Sequence, residues 1–391
     1  MRSSVAIVSC PDYESGAVRR AVLESLALLG GLERLLRPGS RVFVKINHLS
    51  PGSSPERAIL THPSFAREVL RLLKEAGCKV TVGDDIADED GGGFGTSGYR
   101  ELCRELGVRL INVREAGFVE VPCRGELLTS LRLSRACLEA EAVVNLPKLK
   151  THAYTVFTGA IKNLYGLIPL GDRLLFHRMF PRVDRFSRML VDILACLPPA
   201  LNIMDAVLAM EGLGPSFGIP RRLGLVLAGP DPVALDAVAG RIAGLSPENV
   251  PTTRLAHERG LGVGRLEAVD VLGRPLASVE CGDFKSPKVA LRALGSGPFS
   301  SLYAFVQSRM GYEPLVDGDR CSGCGRCAAI CPAGAIAPVG GRAVIAKAGC
   351  IKCLCCYEVC REGGLRLRPT LTNRLVAGLE SASRLLKRRR A

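Results

Sequence analysis

Two cysteine runs near the carboxyl end constrain this chain more than any other feature. The first is Cys321-x2-Cys324-x2-Cys327-x3-Cys331, followed by Pro332. The second is Cys350-x2-Cys353-x2-Cys356-x3-Cys360. Nine of the 16 cysteines fall between Cys321 and Cys360, and the others (Cys10, Cys78, Cys103, Cys123, Cys137, Cys196 and Cys281) are scattered. The opening MRSSVAIVSCPDYE turns polar after a short apolar run, unlike a secretory signal. A reducing cytoplasm is the expectation, and clustered thiols there point to metal rather than disulfides.

The spacing resembles that of the bacterial two-cluster ferredoxins. In that pattern three closely spaced thiolates wrap a [4Fe-4S] cubane, and the fourth cysteine of each run ligates the other cluster. The resemblance implies Cys321, Cys324, Cys327 and Cys360 around one cluster, and Cys350, Cys353, Cys356 and Cys331 around the second. Gly323 and Gly325 let the backbone curl around the sulfurs, and Pro332 pins the turn after Cys331. Two departures stand out: Arg361 follows Cys360 where proline is usual, and Cys355 is an extra thiol. Cys355 could be a spare or could displace Cys356 as ligand. A lone C-x2-C is common and often binds zinc, whereas two complete four-cysteine runs are not common. The clusters suit one-electron relay, with a metal-stapled small domain as the other use.

Ahead of the cysteines, residues 1–285 alternate β-branched runs with amphipathic stretches. Expected strands are Val5–Val8, Val42–Ile46, Lys79–Val82, Arg109–Val113, Ala142–Leu146, Leu201–Met204, Leu223–Leu227 and Val269–Leu272. Expected helices are Ala17–Leu29, Ser64–Ala76, Tyr99–Leu106 and Pro232–Ala243. This alternation predicts an α/β fold, a largely parallel sheet in one or two lobes, with a small α+β ferredoxin-like domain at the carboxyl end. The expected domains are 1–285, a linker with a short helix at 286–316, the cysteine module at 317–369, and a basic amphipathic tail at 370–391. Hydrophobic residues make up 47% of the chain, enough for a sizeable core, but no stretch is long and uncharged enough to cross a membrane.

Polar residues cluster where strands should end. They are Lys45, Asn47, Thr61 and His62; Lys148, Lys150 and His152; Thr158, Lys162 and Asn163; and Asp205, Glu211 and Asp236. Converging lysines with Thr and Asn donors would make an anion site for a carboxylate or phosphate, and Thr158–Tyr165 reads as a helix start whose free N–H groups could add to it. His62 and His152 could act in acid/base chemistry, and the three carboxylates could pair with lysines or hold a hard cation. The plainer alternatives are solvated loop charges for Lys148 and Lys150, a helix-entry role for His62, a buried cap or ion pair for Asp236, and helix termination for Asn163.

The stretches VKIN (44–47), THP (61–63), LPKLKTH (146–152), TGAIKNLYG (158–166), MDAVLAMEGLGP (204–215) and DPVALDA (231–237) resemble the uncharacterised domain of unknown function 362 family. Members often carry a ferredoxin-like module at the carboxyl end. The resemblance implies architecture and iron–sulfur binding, and no reaction. A similarity to the nickel-dependent lactate racemase fold is fold-level analogy and licenses no activity; a metal-dependent isomerase with ancillary clusters is one alternative. The favoured reading is electron transfer through two [4Fe-4S] clusters to or from an anionic small molecule or cofactor in the α/β domain, or a partner redox enzyme. A non-enzymatic electron carrier or docking protein is the other alternative.

Gly93-x-Gly95-x-x-Gly98 formally matches a dinucleotide fingerprint, but the acidic stretch Asp84–Asp90 separates it from the preceding strand, so it reads as a loop. The formal net charge is +14, and residues 370–391 contribute six Lys and Arg against one Glu. Such a tail could be solvated, steer an acidic redox protein, or make peripheral membrane contact through Leu375, Val376, Leu379, Leu385 and Leu386. No aromatic platform accompanies the charge, so a nucleic acid partner is not expected.

Overall fold

β-branched runs buried on both faces suit a central, helix-covered sheet, and that is what they build. In a computed structural model, residues 2–49, 53–86, 93–287 and 310–375 are described. The large domain has strands β1 (Ser3–Ser9), β2 (Arg41–Ile46), β3 (Lys79–Asp84), β4 (Arg109–Asn112), β5 (Phe118–Pro122), β6 (Ser130–Ser134), β7 (Ala142–Leu146), β8 (Lys148–His152), β9 (Val156–Thr158), β10 (Leu201–Glu211), β11 (Ile219–Gly229) and β12 (Val269–Gly273). The main sheet runs β12-β1-β11-β10-β7-β2-β3-β4, with β8 and β9 branching from β10. β7, β2, β3 and β4 pair in parallel, as do β1 with β12 and β10 with β7 and β8; β11 runs antiparallel to β1 and β10. β5 and β6 form a separate hairpin.

The helices at Ser15–Leu28, Pro63–Glu75, Tyr99–Leu106 and Pro232–Ile242 form where expected. The Pro63 helix uses His62 as its N-cap, whose Nδ1 accepts from Ser64 N at 3.2 Å. Val183–Cys196 is a further helix, covering the opposite face of the sheet with Phe186, Leu190 and Ile193.

The segment Lys148–His152, for whose two lysines solvated loop charges are the plainer alternative by sequence, is β8, and all five of its residues are buried. Its partner β9 places Thr158 opposite Lys150. The cysteine module begins earlier than expected: β13 (Tyr312–Val316), placed in the linker by sequence, pairs antiparallel with β16 (Leu365–Pro369). Between them lie the hairpin β14 (Ile336–Val339) and β15 (Arg342–Ile345) and the helix Cys355–Val359. The rest of the linker, including its expected helix, and the tail beyond residue 375 lie outside the described residues.

The module is not held at a distance. Leu354, Cys356, Tyr357 and Leu365 belong to one apolar cluster with Tyr154, Tyr165, Phe186 and Leu190 of the large domain. The Tyr357 hydroxyl donates to Leu213 O at 3.3 Å, and its ring meets Phe217 with centroids 4.8 Å apart. Among the described residues, no helix is long and apolar enough to cross a membrane. Cys123 and Cys196, two of the scattered cysteines, form a disulfide, against the expectation of a wholly reduced chain.

Candidate functional site

The carboxyl ends of β2, β3 and β7 meet β8 and the short helix Ala160–Asn163, the place where parallel sheets gather ligands. Alternation along β8 sends Lys148, Lys150 and His152 to one side, with Leu149 and Thr151 between them. Although they share a strand, the three side chains have different fates.

Lys148 is wholly buried and already paired. Its Nζ lies 2.7 Å from Asp205 Oδ2 and 2.8 Å from the Tyr13 hydroxyl. Asp205 also accepts from His62 N at 2.9 Å and from the Tyr13 hydroxyl at 2.9 Å. The His62 ring stacks on Tyr13 at 3.7 Å, and burial, with Lys148 adding to it, pushes its pKa down to about 4. Lys148, Asp205 and His62 therefore form a closed structural knot, and the anion-binding roles expected for them are not supported by this geometry.

Lys45 is paired too, with Asp84 at 2.8 Å, and its Nζ also donates to Ile46 O at 2.6 Å. Burial lowers the Lys45 pKa and raises that of Asp84, each against the pull of its partner. Gly166 closes over this pair: a Cβ there would lie 2.3 Å from Asp84 Oδ1 and 2.9 Å from Lys45 Nζ. Gly166→Ala is expected to destabilise the fold by about 1–3 kcal/mol through overpacking, read as a lowered thermal midpoint.

From Lys45 an amide ladder crosses the site. Asn163 Oδ1 accepts from Asn47 Nδ2 at 2.8 Å, Asn163 Nδ2 donates to Asn145 Oδ1 at 2.7 Å, and Asn145 Nδ2 donates to Asn202 Oδ1 at 2.9 Å. Thr61 is a latch, taking Asn47 N at 2.9 Å and donating to Leu146 O at 2.6 Å. Asn163, the last residue of its helix, therefore also positions the ladder.

The remaining carboxylates do not converge. Asp236 accepts from Ala160 N at 2.6 Å and Ile161 N at 3.1 Å, and burial pushes it up to about 7. It thus occupies the helix start that the sequence offered to an anion. Glu211 is buried and accepts from Lys285 N at 3.2 Å. Asp205, Glu211 and Asp236 thus serve different partners, and among the described residues they form no grouped cation site.

The donors left unmet are buried Lys150, His152 and Thr158 and half-buried Lys162. Lys150 Nζ meets neutral oxygens, Asn47 Oδ1 at 2.8 Å and Ile59 O at 2.6 Å. Burial, then the neighbouring Lys162, lowers its pKa to about 7. His152 Nδ1 accepts from Tyr154 N at 3.1 Å, which leaves the proton on Nε2 of the neutral ring. Burial, then Lys162 and Lys150, keeps that ring neutral by driving its pKa well below the usual value. Lys162 is half-buried, and its pKa is lowered chiefly by burial.

Facing these donors is a residue that sequence reasoning missed. Glu358 comes from the cysteine module and places Oε1 3.4 Å from His152 Nε2. Its backbone carbonyl accepts from the Ser216 hydroxyl at 3.1 Å. Asp84, Asp85, Asn145, Asn202 and Arg173 were also missed as site groups; Arg173 and Arg114 both pair with Asp85. Asp84 and Asp85 end β3, so the strand-end rule could have found them. Nothing local marks Glu358, which sits between two cysteines of a ligand run.

The cysteines form a cradle suited to iron–sulfur clusters. Cys321, Cys324, Cys327 and Cys360 line one cavity together with Gly323 and Gly325. Burial raises the Cys327 thiol, with Cys321 and Cys360 adding to it; burial likewise raises Cys350, with Cys353 and Cys331 adding. Each set thus meets the last cysteine of the other run. Ala343 N donates to Cys321 Sγ at 3.4 Å and Ala335 N to Cys331 Sγ at 3.3 Å, contacts that favour thiolate. Gly323 has φ 69°, and a Cβ there would lie 2.2 Å from Gly341 O, so glycine is required. Among the described residues no three His, Cys, Asp or Glu side chains gather tightly enough for a single ion. A ring of thiols around a cavity fits a multinuclear cluster instead. Cys324 is exposed, whereas Cys353 and Cys356 are buried. Cys355 lies near enough to Lys162, Tyr154 and Tyr165 to raise the pKa of each.

Comparison with known proteins agrees with this architecture. Residues 42–241 match a family described as a domain of unknown function (DUF362), and residues 313–361 match a 4Fe-4S dicluster domain. A thylakoid-associated protein of Synechocystis sp. is 33% identical over 293 residues, covering 74% of this chain and 90% of its own length. The lactate racemase apoprotein of Thermoanaerobacterium thermosaccharolyticum aligns with TM-score 0.39 and 16% identity, over 67% of this chain and 56% of that one. A Thermotoga maritima protein aligns with TM-score 0.33 and 15% identity, over 64% of this chain and 60% of that one. The chain thus spans well under two thirds of either solved structure. With half its length matched by one family and its cysteine runs by another domain, the chain is an iron–sulfur protein that belongs to the domain of unknown function 362 family.

Proposed function

We propose that this protein exchanges electrons between a redox partner and a small anionic molecule bound at Lys150, His152 and Lys162. Cys321, Cys324, Cys327 and Cys360 would hold one [4Fe-4S] cluster, and Cys350, Cys353, Cys356 and Cys331 a second. When bound, such clusters supply one-electron storage and relay. The observation that carries this reading is the helix Cys355–Val359. It bears one expected ligand, Cys356, in the core shared with the large domain, and it aims Glu358 at the open donors. The intact x2-x2-x3 spacing supports Cys356 as the ligand and Cys355 as the spare.

The chain's own residues would bind and orient the ligand. Lys150 and Lys162 supply charge, and the His152 Nε2–H group supplies direction. The Lys45–Asp84 pair and the asparagine ladder fix the floor. An acidic redox protein is the partner class, at the surface where exposed Cys324 lines a cavity together with Arg326. That complex would weaken with salt. The thylakoid-associated relative is in keeping with a membrane-peripheral position at the cytoplasmic side, through the basic tail.

Anaerobic reconstitution should give about eight irons per chain, and titration with dithionite should take up about two electrons, following the two-cluster pattern. Four irons would overturn the two-cluster reading, and no electron uptake would overturn relay. Ligand affinity should fall between pH 6 and pH 8, because Lys150, lowered from 10.5 to about 7, is a cation below that value and neutral above it. Titration calorimetry with propionate checks this, and a flat profile would remove Lys150 from the binding set.

A further inference from the structure

The open donors have no matching acceptor in the large domain. Lys150 donates only to neutral oxygens, and Lys162 makes no hydrogen bond or ion pair among the described residues. The buried atoms His152 Nε2 and Thr158 Oγ1 have no hydrogen-bond partner. Leaving a buried polar group unmet is costly, and adjacent cations repel. A site that keeps this excess of donors is suited to receiving an anion.

One carboxylate approaches it, and it belongs to the other half of the molecule. The Glu358 side chain is only 17% exposed, and its Oε1 lies 3.4 Å from His152 Nε2 without forming a hydrogen bond to it. Its backbone is fixed by Ser216, and the adjacent Tyr357 is held by Leu213 O and the Phe217 ring. Side-chain rotation can therefore move the carboxylate while the helix stays docked.

We propose that Glu358 is a built-in surrogate for the ligand: the site takes a small organic carboxylate, whose anionic group displaces that of Glu358, making Glu358 its specificity-determining residue. This rests on the reading of Lys150, His152 and Lys162 as a ligand site. It adds the ligand's chemical class and couples occupancy of the cleft to the module that carries the cysteines. A ligand entering the donor set must move Glu358 aside, so affinity is set by competition between two carboxylates for the same cationic surroundings.

The test is titration calorimetry on the anaerobically reconstituted full chain, with propionate and with inorganic phosphate as probes. Glu358→Gln removes the competing charge and should bind propionate at least tenfold more tightly than the unaltered protein. Phosphate should gain much less. Asp319→Asn, which removes an exposed charge elsewhere on the module, should leave both affinities unchanged. Iron content and thermal midpoint should be the same in all three proteins. Equal or weaker propionate binding by Glu358→Gln, an equal gain for phosphate or from Asp319→Asn, or no propionate binding at all would overturn the proposal. Loss of iron from Glu358→Gln would overturn it too, by making Glu358 a structural anchor. Iron count and electron uptake test the relay separately, so either reading can fail while the other stands.

Discussion

Cys356→Ser is expected to cost the chain about half its iron and, with it, much of the stability of the large domain. Cys356 is buried in the same apolar cluster as Tyr154, Tyr165, Phe186 and Leu190. Binding free energy of a group held only by the folded state is folding free energy. A site filled at a thousand times its dissociation constant contributes about 4 kcal/mol, and emptying it removes that amount. Cys324→Ser should remove a similar share of iron while lowering the thermal midpoint far less, because Cys324 is exposed. Iron analysis beside anaerobic thermal unfolding compares the two variants. Equal losses of stability would mean that the shared core does not link cluster assembly to the large domain.

Lys148→Ala should be the most damaging single lysine replacement. It leaves Asp205 buried without its counter-ion, and breaking a buried pair in this way costs about 3–5 kcal/mol. Adding Asp205→Asn should return much of that stability, since the remaining group is neutral and still meets His62 N and the Tyr13 hydroxyl. Lys162→Ala should do the reverse, abolishing propionate binding with little loss of stability, because Lys162 holds nothing else in place among the described residues. Chemical denaturation and calorimetry on the two variants separate the roles. If Lys148→Ala folds normally and loses ligand affinity, the structural assignment of that lysine is wrong.

The contrast between these lysines shows what the sequence could and could not carry. Parallel strands such as Val42–Ile46 and Ala142–Leu146 announce themselves because burial on both faces leaves a continuous apolar run. β8 does not, because lysine at alternate positions imitates a solvated loop. Its period-two alternation was the available signal. Lys45, Lys148, Lys150 and Lys162 look equivalent in sequence, and their separation depends on Asp84 and Asp205, which reach them from other strands. Asp236 could be seen as a buried helix residue serving as a cap or ion pair, but which distant helix start it caps could not. The thiol spacing was legible because cluster ligation is a local pattern. The docking of that module on the cleft was not, since Glu358 acquires its meaning only from residues nearly two hundred positions earlier.

The unequal burial of the two cysteine sets carries a consequence for life in air. Reactive oxygen species attack thiolates and their metal according to access, so the outer set around Cys324 would be damaged first. The set around Cys353 and Cys356 is shielded by the tyrosine-lined core. Aerobic ageing should therefore proceed in two stages, with iron lost first from the outer set while the buried set and the core around it stay intact. Damage confined to the first stage would be repairable by reinserting iron and sulfide into an otherwise intact fold.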